Sequence, residues 1–367
     1  ETLLRYATID NCERYVRVWA APSRPLSQGA HVLQAPLCPW WRAEKYAHSV
    51  KCREVVVEKA DVTIILLPCI EEQALPTALD HLARQDYPAA RFEVVVLNTM
   101  PTQAASDMLD NYAQAVPMRT RNLHVKPDQL VEAINQVIRE SDARWIIFVS
   151  GELAAGARLV ERHIVAQENY GRTAITCGRI AVHPQADPAK LLRWRLINDA
   201  NDIADGAPLE YWHWRTWNLC VPRDLIIAAD GFRFSPLCPA WGDVEFAWRL
   251  ADRAVKGYYV HDASAFAWVA HGFAADRRFF YERGRNFSQL LNTLREVDPD
   301  QADKMALLAD HFNMKCSTFR LALDRFFAPV DIHHGITRAA RKPLAPEHAE
   351  RILRFDTRRG FRDGKPA

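Results

Sequence analysis

From Ala60 the chain repeats one pattern: a short, wholly apolar run, an amphipathic stretch of several turns, and another apolar run. DVTIILLP stops at Pro68, and its unbroken Val, Ile and Leu content predicts a strand covered on both faces, as in a parallel sheet. Leu79, Leu82 and Ala83 share one side of a helix predicted over 75–85; the turn Asp86-Tyr87-Pro88 ends it, and FEVVVLN supplies the next strand. A helix over 104–115, a short strand near 123–125, a helix over 129–141 and the strand WIIFVS continue the alternation. Parallel neighbours need long crossovers, so this cadence predicts a doubly wound α/β fold with a mostly parallel central sheet and helices on both faces. Ligands of such a sheet lie beyond the carboxyl ends of its strands.

The second half predicts a helix over 159–168, a strand in RTAITCGRIAVHP that ends at Pro184, and an amphipathic helix through LLRWRLINDANDIAD. LEYWHWRTWN then gathers Tyr211, Trp212, Trp214 and Trp217, rings that either fill a core or stack on a flat ligand. In PAWGDVEFAWRL, Asp243 and Glu245 open a helix expected to run to Lys256-Gly257; GYYV follows as a strand, and His261 and His271 bracket a second one. Asp243 has two readings. It either caps the helix, or it stands at the rim of a pocket where Trp241 screens it from water and raises its proton affinity.

Composition removes several function classes. The 47 Lys and Arg nearly balance the 45 Asp and Glu, so charge indicates no nucleic-acid partner. No apolar run approaches the roughly 18 residues that cross a bilayer, so no transmembrane segment is expected. The eight cysteines show no CxxC pair or metal cadence and read as reduced thiols of a cytoplasmic protein. No GxSxG elbow, phosphate-binding P-loop, HExxH or dinucleotide glycine fingerprint occurs.

The fragments VTIILLPCIEE, LDHLARQDYPAARFEVVVLNTMP, EAINQVI, WIIFVSGE, RTWNLCVPRDLIIAADGFRF, WGDVEFAWRL and FFYERGRN fall in one order and spacing. That frame resembles glycosyltransferase family 2 over residues 60–291. The resemblance implies a GT-A type fold, a nucleotide-sugar donor, an acceptor hydroxyl, a divalent cation (Mn²⁺ or Mg²⁺) and an inverting displacement with Asp243 as catalytic base. It also implies donor-site roles for Pro68, Glu72, Asn98, Thr99, Asn135, Ser150 and Glu152, and acceptor-site roles for Trp217, Asn218, Trp241 and Glu245.

The frame departs from the family where the acids should be. Asn98, Thr99, Met100 and Pro101 stand at the family's DDGS, and Ser150, Gly151 and Glu152 at its metal-binding acids. A hard cation needs several oxygens, so Glu152 with His271, at the position of the family's later ligand, is a thin set. Arg283 and Arg285 offer guanidinium forks to a diphosphate instead. Trp217 replaces the Gly that the family places before Asn218.

The predicted organisation is an N-terminal extension over 1–58, containing Trp40, Trp41 and Tyr46, and a glycosyltransferase-like domain over 59–291. Its nucleotide half is 59–152 and its acceptor half 153–291. A helical extension with a basic tail follows over 292–367; its apolar face packs on the domain, forms a homodimer or touches a membrane surface, and the tail wraps the domain or reaches an acidic partner. The expected function is transfer of a sugar from a nucleotide diphosphate to an acceptor hydroxyl. The alternatives are an inactive binding or scaffold protein, which the missing acids favour, and a transferase with a different activated donor.

Overall fold

Val62, Ile64 and Leu66 point to one side of strand β1 (Val62–Leu67), Ile65 and Leu67 to the other, and each set enters a separate core. In the computed structural model, which describes residues 60–68, 74–99, 103–186, 192–197, 202–237, 239–312, 314 and 346–364, β1 is therefore buried on both faces. These residues fall in the second of two units into which the chain divides, Val57–Ala367. The strands expected in ERYVRVW and REVVVEK, the aromatics Trp40, Trp41 and Tyr46, and residues 315–345 of the expected helical extension and tail lie outside the described residues.

β1 pairs in parallel with β2 (Phe92–Asn98) on one edge and β4 (Trp145–Ser150) on the other, and β2 pairs in parallel with β3 (Arg119–His124). Helix α1 (Ala74–Ala83) buries Leu75, Ala78, Leu79 and Leu82 on one face of this sheet, joined by Leu109 of α2 (Gln103–Ala115). Helix α3 (Leu130–Glu140) places Leu130, Ile134, Val137 and Ile138 on the other face. This is the doubly wound half read from the sequence. The short β5 (Leu153–Ala155) and helix α4 (Leu159–Tyr170) follow.

The second half is mixed. β8 (Asn218–Pro222) runs antiparallel to β4 and to β6 (Ala174–Val182), and β6 runs parallel to β9 (Lys256–Ala267). With β7 (Pro208–Leu209) on β9, the described strands form one sheet in the order β3-β2-β1-β4-β8-β6-β9-β5. The two strands expected between Gly257 and His271 are a single one, because β9 pairs with β6 along one edge while β7 and β5 share the other. Helix α5 is shorter than LLRWRLINDANDIAD suggested: its described span is Leu192–Ile197, and residues 202–206 form turns. Helix α6 (Arg223–Ala228) precedes α7 (Gly242–Asp252), which stops before Lys256 because Ala254 takes a φ of 61° and Val255 N–H turns back to Leu250 O at 3.1 Å.

Helices α8 (Phe273–Val297), α9 (Pro299–Ala306) and α10 (Leu308–His311) lead to the C-terminal α11 (Pro346–Asp363). Of the two readings of the basic tail, the described part takes the first. Ile352 and Leu353 are buried, and Arg277 grips buried Asp356 at 2.7 and 3.1 Å. Gly284 and Gly360 permit the close approach: a Cβ on either would stand 1.9 Å from a carbonyl oxygen of the facing helix.

A buried polar knot ties α4 to the sheet. Asn218 Nδ2 donates to Ala263 O at 2.7 Å, so its Oδ1 is an acceptor and His163 Nε2, 2.9 Å away, must be the donor. His163 Nδ1 then accepts from the Thr176 hydroxyl at 2.8 Å. The imidazole is neutral, and burial pulls its pKa from 6.5 down to about 4. In the unfolded chain it takes up a proton below pH 6.5 that the native state refuses, so stability is lost as pH falls from 6.5 towards 4. The loss from this residue is on the order of 3 kcal/mol at the acid end. Denaturant unfolding across that window should show a shallower pH slope for His163→Gln than for the parent; equal slopes would rule out His163 as the source.

Candidate active site

Parallel strands deliver their carboxyl ends to one edge, and a cleft opens there. Leu67 and Pro68 at the end of β1, Thr99 after β2, and Ser150 and Glu152 after β4 form its floor; Arg193, Trp194 and Ile197 of α5, with Trp217, Leu237 and Phe279, form its walls. The cleft encloses about 720 Å³, counting its solvent-open mouth. The floor is held by backbone: Gly151 N–H donates to Leu67 O and Ser150 N–H to Trp217 O, both at 3.0 Å. Trp194 and Trp217 meet edge to face with centroids 5.5 Å apart, fixing α5 over the strand ends.

Two side-chain pairs stand at this cleft. Glu152 Oε2 lies 3.2 Å from His271 Nε2. Arg193 Nε donates to Asp276 Oδ1 at 2.9 Å, with both side chains only 4% exposed, and the guanidinium lies 4.3 Å from the centre of the Phe279 ring. Burial pushes the Asp276 carboxyl upward, Arg193 opposes that shift, and the fields of His271 and Glu152 also reach it, which places the four groups in one neighbourhood. As a metal site the set is short. Among the described residues no three His, Cys, Asp or Glu side chains converge on one point, and Asp276, whose carboxyl feels both Glu152 and His271, is already bonded to a guanidinium. A hard divalent ion seeks more oxygens than this donor set brings together, so the described residues by themselves do not form a cation site.

Behind Trp217 lies a third pair. Arg215 Nη1 donates to the Asp243 carboxylate at 3.2 and 3.4 Å, and its guanidinium sits between the rings of Trp217, at 5.4 Å, and Trp241, at 4.9 Å. Asp243, the second residue of α7, is 1% exposed and also accepts from Val244 N–H at 2.9 Å. Burial pushes its carboxyl above the usual range; Arg215, the Val244 N–H and, more weakly, Arg283 pull it back. Trp241 itself donates from Nε1 to Arg283 O at 2.8 Å.

Residues 63–214 match the model of glycosyl transferase family 2. The match spans less than half of the chain. Its α/β architecture is the GT-A type expected from the sequence. Among solved structures, TarS of S. aureus shares 15% identity at a TM-score of 0.48, covering 69% of this chain but only 43% of its own. The mannosyltransferase PcManGT from Pyrobaculum calidifontis, crystallised with GDP-Man and Mn²⁺, also shares 15% identity at 0.48, covering 87% and 92%. TarS 1–349 in complex with UDP-GlcNAc shares 12% at 0.47, covering 83% and 92%. No curated protein matches the chain.

The expected site residues divide. Pro68, Thr99, Ser150, Glu152 and Trp217 line the cleft, and His271 touches it through Glu152. Asn98 is buried at the end of β2, where its carbonyl accepts from Val125 N–H at 2.9 Å. Asn135 faces away from the cleft and exchanges two hydrogen bonds of 2.8 Å with the Phe232 backbone. Asn218 is the centre of the His163 knot. Glu245 is 0% exposed, bonded to Arg249 at 2.7 and 3.0 Å and to Gln301 at 3.3 Å.

Arg283 stacks on Trp241 and Phe312, lining a neighbouring cavity, while half-exposed Arg285 lies 3.7 Å from Glu282. Neither arginine lines the cleft, and Glu72 lies outside the described residues. The sequence reading missed Arg193, Trp194, Arg215 and Asp276. Arg193 and Trp194 belonged to a helix read only as amphipathic, and nothing in the spacing linked Arg215 or Asp276 to partners 28 and 83 residues away.

Because the native Asp243 carboxyl titrates higher than in the unfolded chain, the folded state holds a proton that the unfolded state releases, and stability falls as pH rises through that interval. Arg215 narrows the interval. Arg215→Met should therefore cost little near pH 4 and on the order of 3 kcal/mol near pH 7, where the buried carboxylate is left without its cation. Unfolding curves at both pH values measure this, and a loss independent of pH would contradict the pairing.

Proposed function

We propose that this protein is an inverting glycosyltransferase that moves a sugar from a nucleotide-diphosphate donor to an acceptor hydroxyl. The observation that supports it is the cleft at the carboxyl ends of β1, β2 and β4, built within and beside a family 2 domain, with a buried carboxylate one guanidinium behind its Trp217 wall. The donor lies with its nucleotide over Pro68, Thr99 and Ser150, and buried Asn98 supports that side from the end of β2. The acceptor enters towards Trp217 and Trp241. Its oxygen attacks the anomeric carbon, the bond from that carbon to the diphosphate breaks with its electron pair leaving on the diphosphate, and the hydroxyl proton passes to Asp243.

Asp243 is suited to this by its environment. Removed from water, its carboxyl holds a proton more tightly than a surface Asp, while Arg215 draws that affinity part of the way back. Trp217 supplies a flat wall beside the reacting centre, where a smaller residue would leave the cleft wider. Asn218 and Glu245 support the acceptor side from within, through the β8 knot and through Arg249. The free, buried thiols of Cys177 and Cys220 agree with a reducing compartment, which we take to be the cytoplasm. No described helix is long and apolar enough to cross a membrane.

The closed Arg215–Asp243 pair also favours a second reading, a binding protein in which the pair is permanently shut. The two part on one experiment. With UDP-GlcNAc and GDP-Man as first donors, followed by a wider panel, the transferase should release nucleoside diphosphate, and Asp243→Asn should lower kcat by about 10²- to 10⁴-fold. Donor affinity should stay within a few-fold. Donor binding without turnover in the parent protein would establish the second reading, and unchanged kcat in the variant would remove Asp243 from the chemistry.

A further inference from the structure

A nucleoside diphosphate placed in this cleft meets Glu152, a like charge, and needs a cation to neutralise the leaving group. The donor set at Glu152 and His271 is too small to preform a divalent ion's site among the described residues, yet a cation already lines the cleft. We infer that Arg193 is the group that binds the donor's diphosphate, so that a fixed guanidinium does the work otherwise assigned to a divalent ion. The inference rests on the glycosyl-transfer reading given above and names the residue that reading lacks.

Three observations place Arg193 in this role. It projects from α5 into the cleft together with Pro68, Thr99 and Ser150, the residues facing the nucleotide. Among the described residues Asp276 accepts only from Nε, so the terminal nitrogens of the fork have no carboxylate or carbonyl bound. A guanidinium held in that way presents its outer edge with the planar spacing that phosphate oxygens accept.

The third observation is its support. The Phe279 ring lies 4.3 Å from the guanidinium, Asp276 anchors it from behind, and the Trp194–Trp217 contact holds the helix that carries it. Little side-chain freedom is left to lose on binding, which favours affinity. Arg283 and Arg285 do not share the position, since one stacks on Trp241 and Phe312 and the other lies at the surface near Glu282.

Asp276 provides the means of testing this without leaving a bare buried charge. Asp276→Asn removes the competing anion and keeps the cation, whereas Arg193→Met with Asp276→Asn removes both. Calorimetric titration with UDP, GDP, CDP, ADP and TDP, in EDTA and again with Mn²⁺, reads the outcome. We expect at least one diphosphate to bind in EDTA, with affinity kept or increased in Asp276→Asn and reduced about 10- to 100-fold in the double variant.

Three outcomes overturn the inference. Binding that appears only with Mn²⁺ and ignores the double variant does so while leaving the glycosyl-transfer reading intact. Binding in EDTA that the double variant does not weaken does the same. If no nucleoside diphosphate binds under either condition, both readings fall.

Discussion

Strand β1 is bonded along both edges and covered on both faces, so the only part of it that can meet a ligand is its end. That constraint sets the rest of the molecule. Its parallel neighbours β2 and β4 finish at the same edge, which leaves Pro68, Thr99 and Ser150 side by side where the helices diverge. The antiparallel β8 then carries the chain back to that edge, since Val149 near the end of β4 pairs with Asn218 at the start of β8. Trp217 therefore arrives at the cleft from the second half of the fold, with Arg215 behind it. A site shared by two halves of the chain follows from one strand being saturated everywhere except its tip.

Burial of charge is the second organising element. Asp243, Glu245 and Asp276 are all nearly inaccessible, and each is matched to an arginine: Arg215, Arg249 and Arg193. Such pairs contribute little net stability compared with apolar residues of the same shape, because desolvation consumes most of the attraction. Their distribution is more informative. The Glu245–Arg249 pair also uses its guanidinium on the Ala229 and Gly231 carbonyls, so both partners are spent on holding α7 against the end of α6. Arg215 and Arg193 have no such carbonyl partners among the described residues and stand beside the cleft. Of the three, the two pairs that retain bonding capacity are the two that stand at the cleft or behind its Trp217 wall.

The parallel half was legible because its signal is local. Unbroken apolar runs such as VTIILL and FEVVVLN can only be strands buried on both sides, and Leu79 and Leu82 give α1 its face without reference to anything distant. The cleft floor followed from the same reasoning, since ligands of such a sheet collect at strand ends. The walls were not legible. Whether Asn135 faces a nucleotide or the Phe232 backbone, or whether Asn218 faces an acceptor or His163, depends on packing between segments 97 and 55 residues apart. Single residue types cannot encode that choice. The C-terminal helix was obscured for a related reason: a basic composition reads as solvated, and the Gly284–Gly360 approach that docks it appears only when both helices are present.

The departures from the family's usual residues form a connected set rather than scattered losses. Trp217 stands where the resemblance leads one to expect glycine, and its ring reaches across to Trp194. That contact fixes α5, and the residue preceding Trp194 is Arg193, whose charge enters the same cleft in which the acids are depleted. A larger wall, a docked helix and a new cation are thus linked through one edge-to-face contact. On the same wall, Arg215 is held between Trp217 and Trp241 against Asp243, so the replacement that supports α5 also helps keep the carboxylate paired. Random decay of a site would remove charges without supplying partners for those that remain. Here Asp243 and Asp276 each have a guanidinium in hydrogen-bonding range, and Glu152 of the first half has an imidazole, so the described acids at and behind the cleft wall are all partnered.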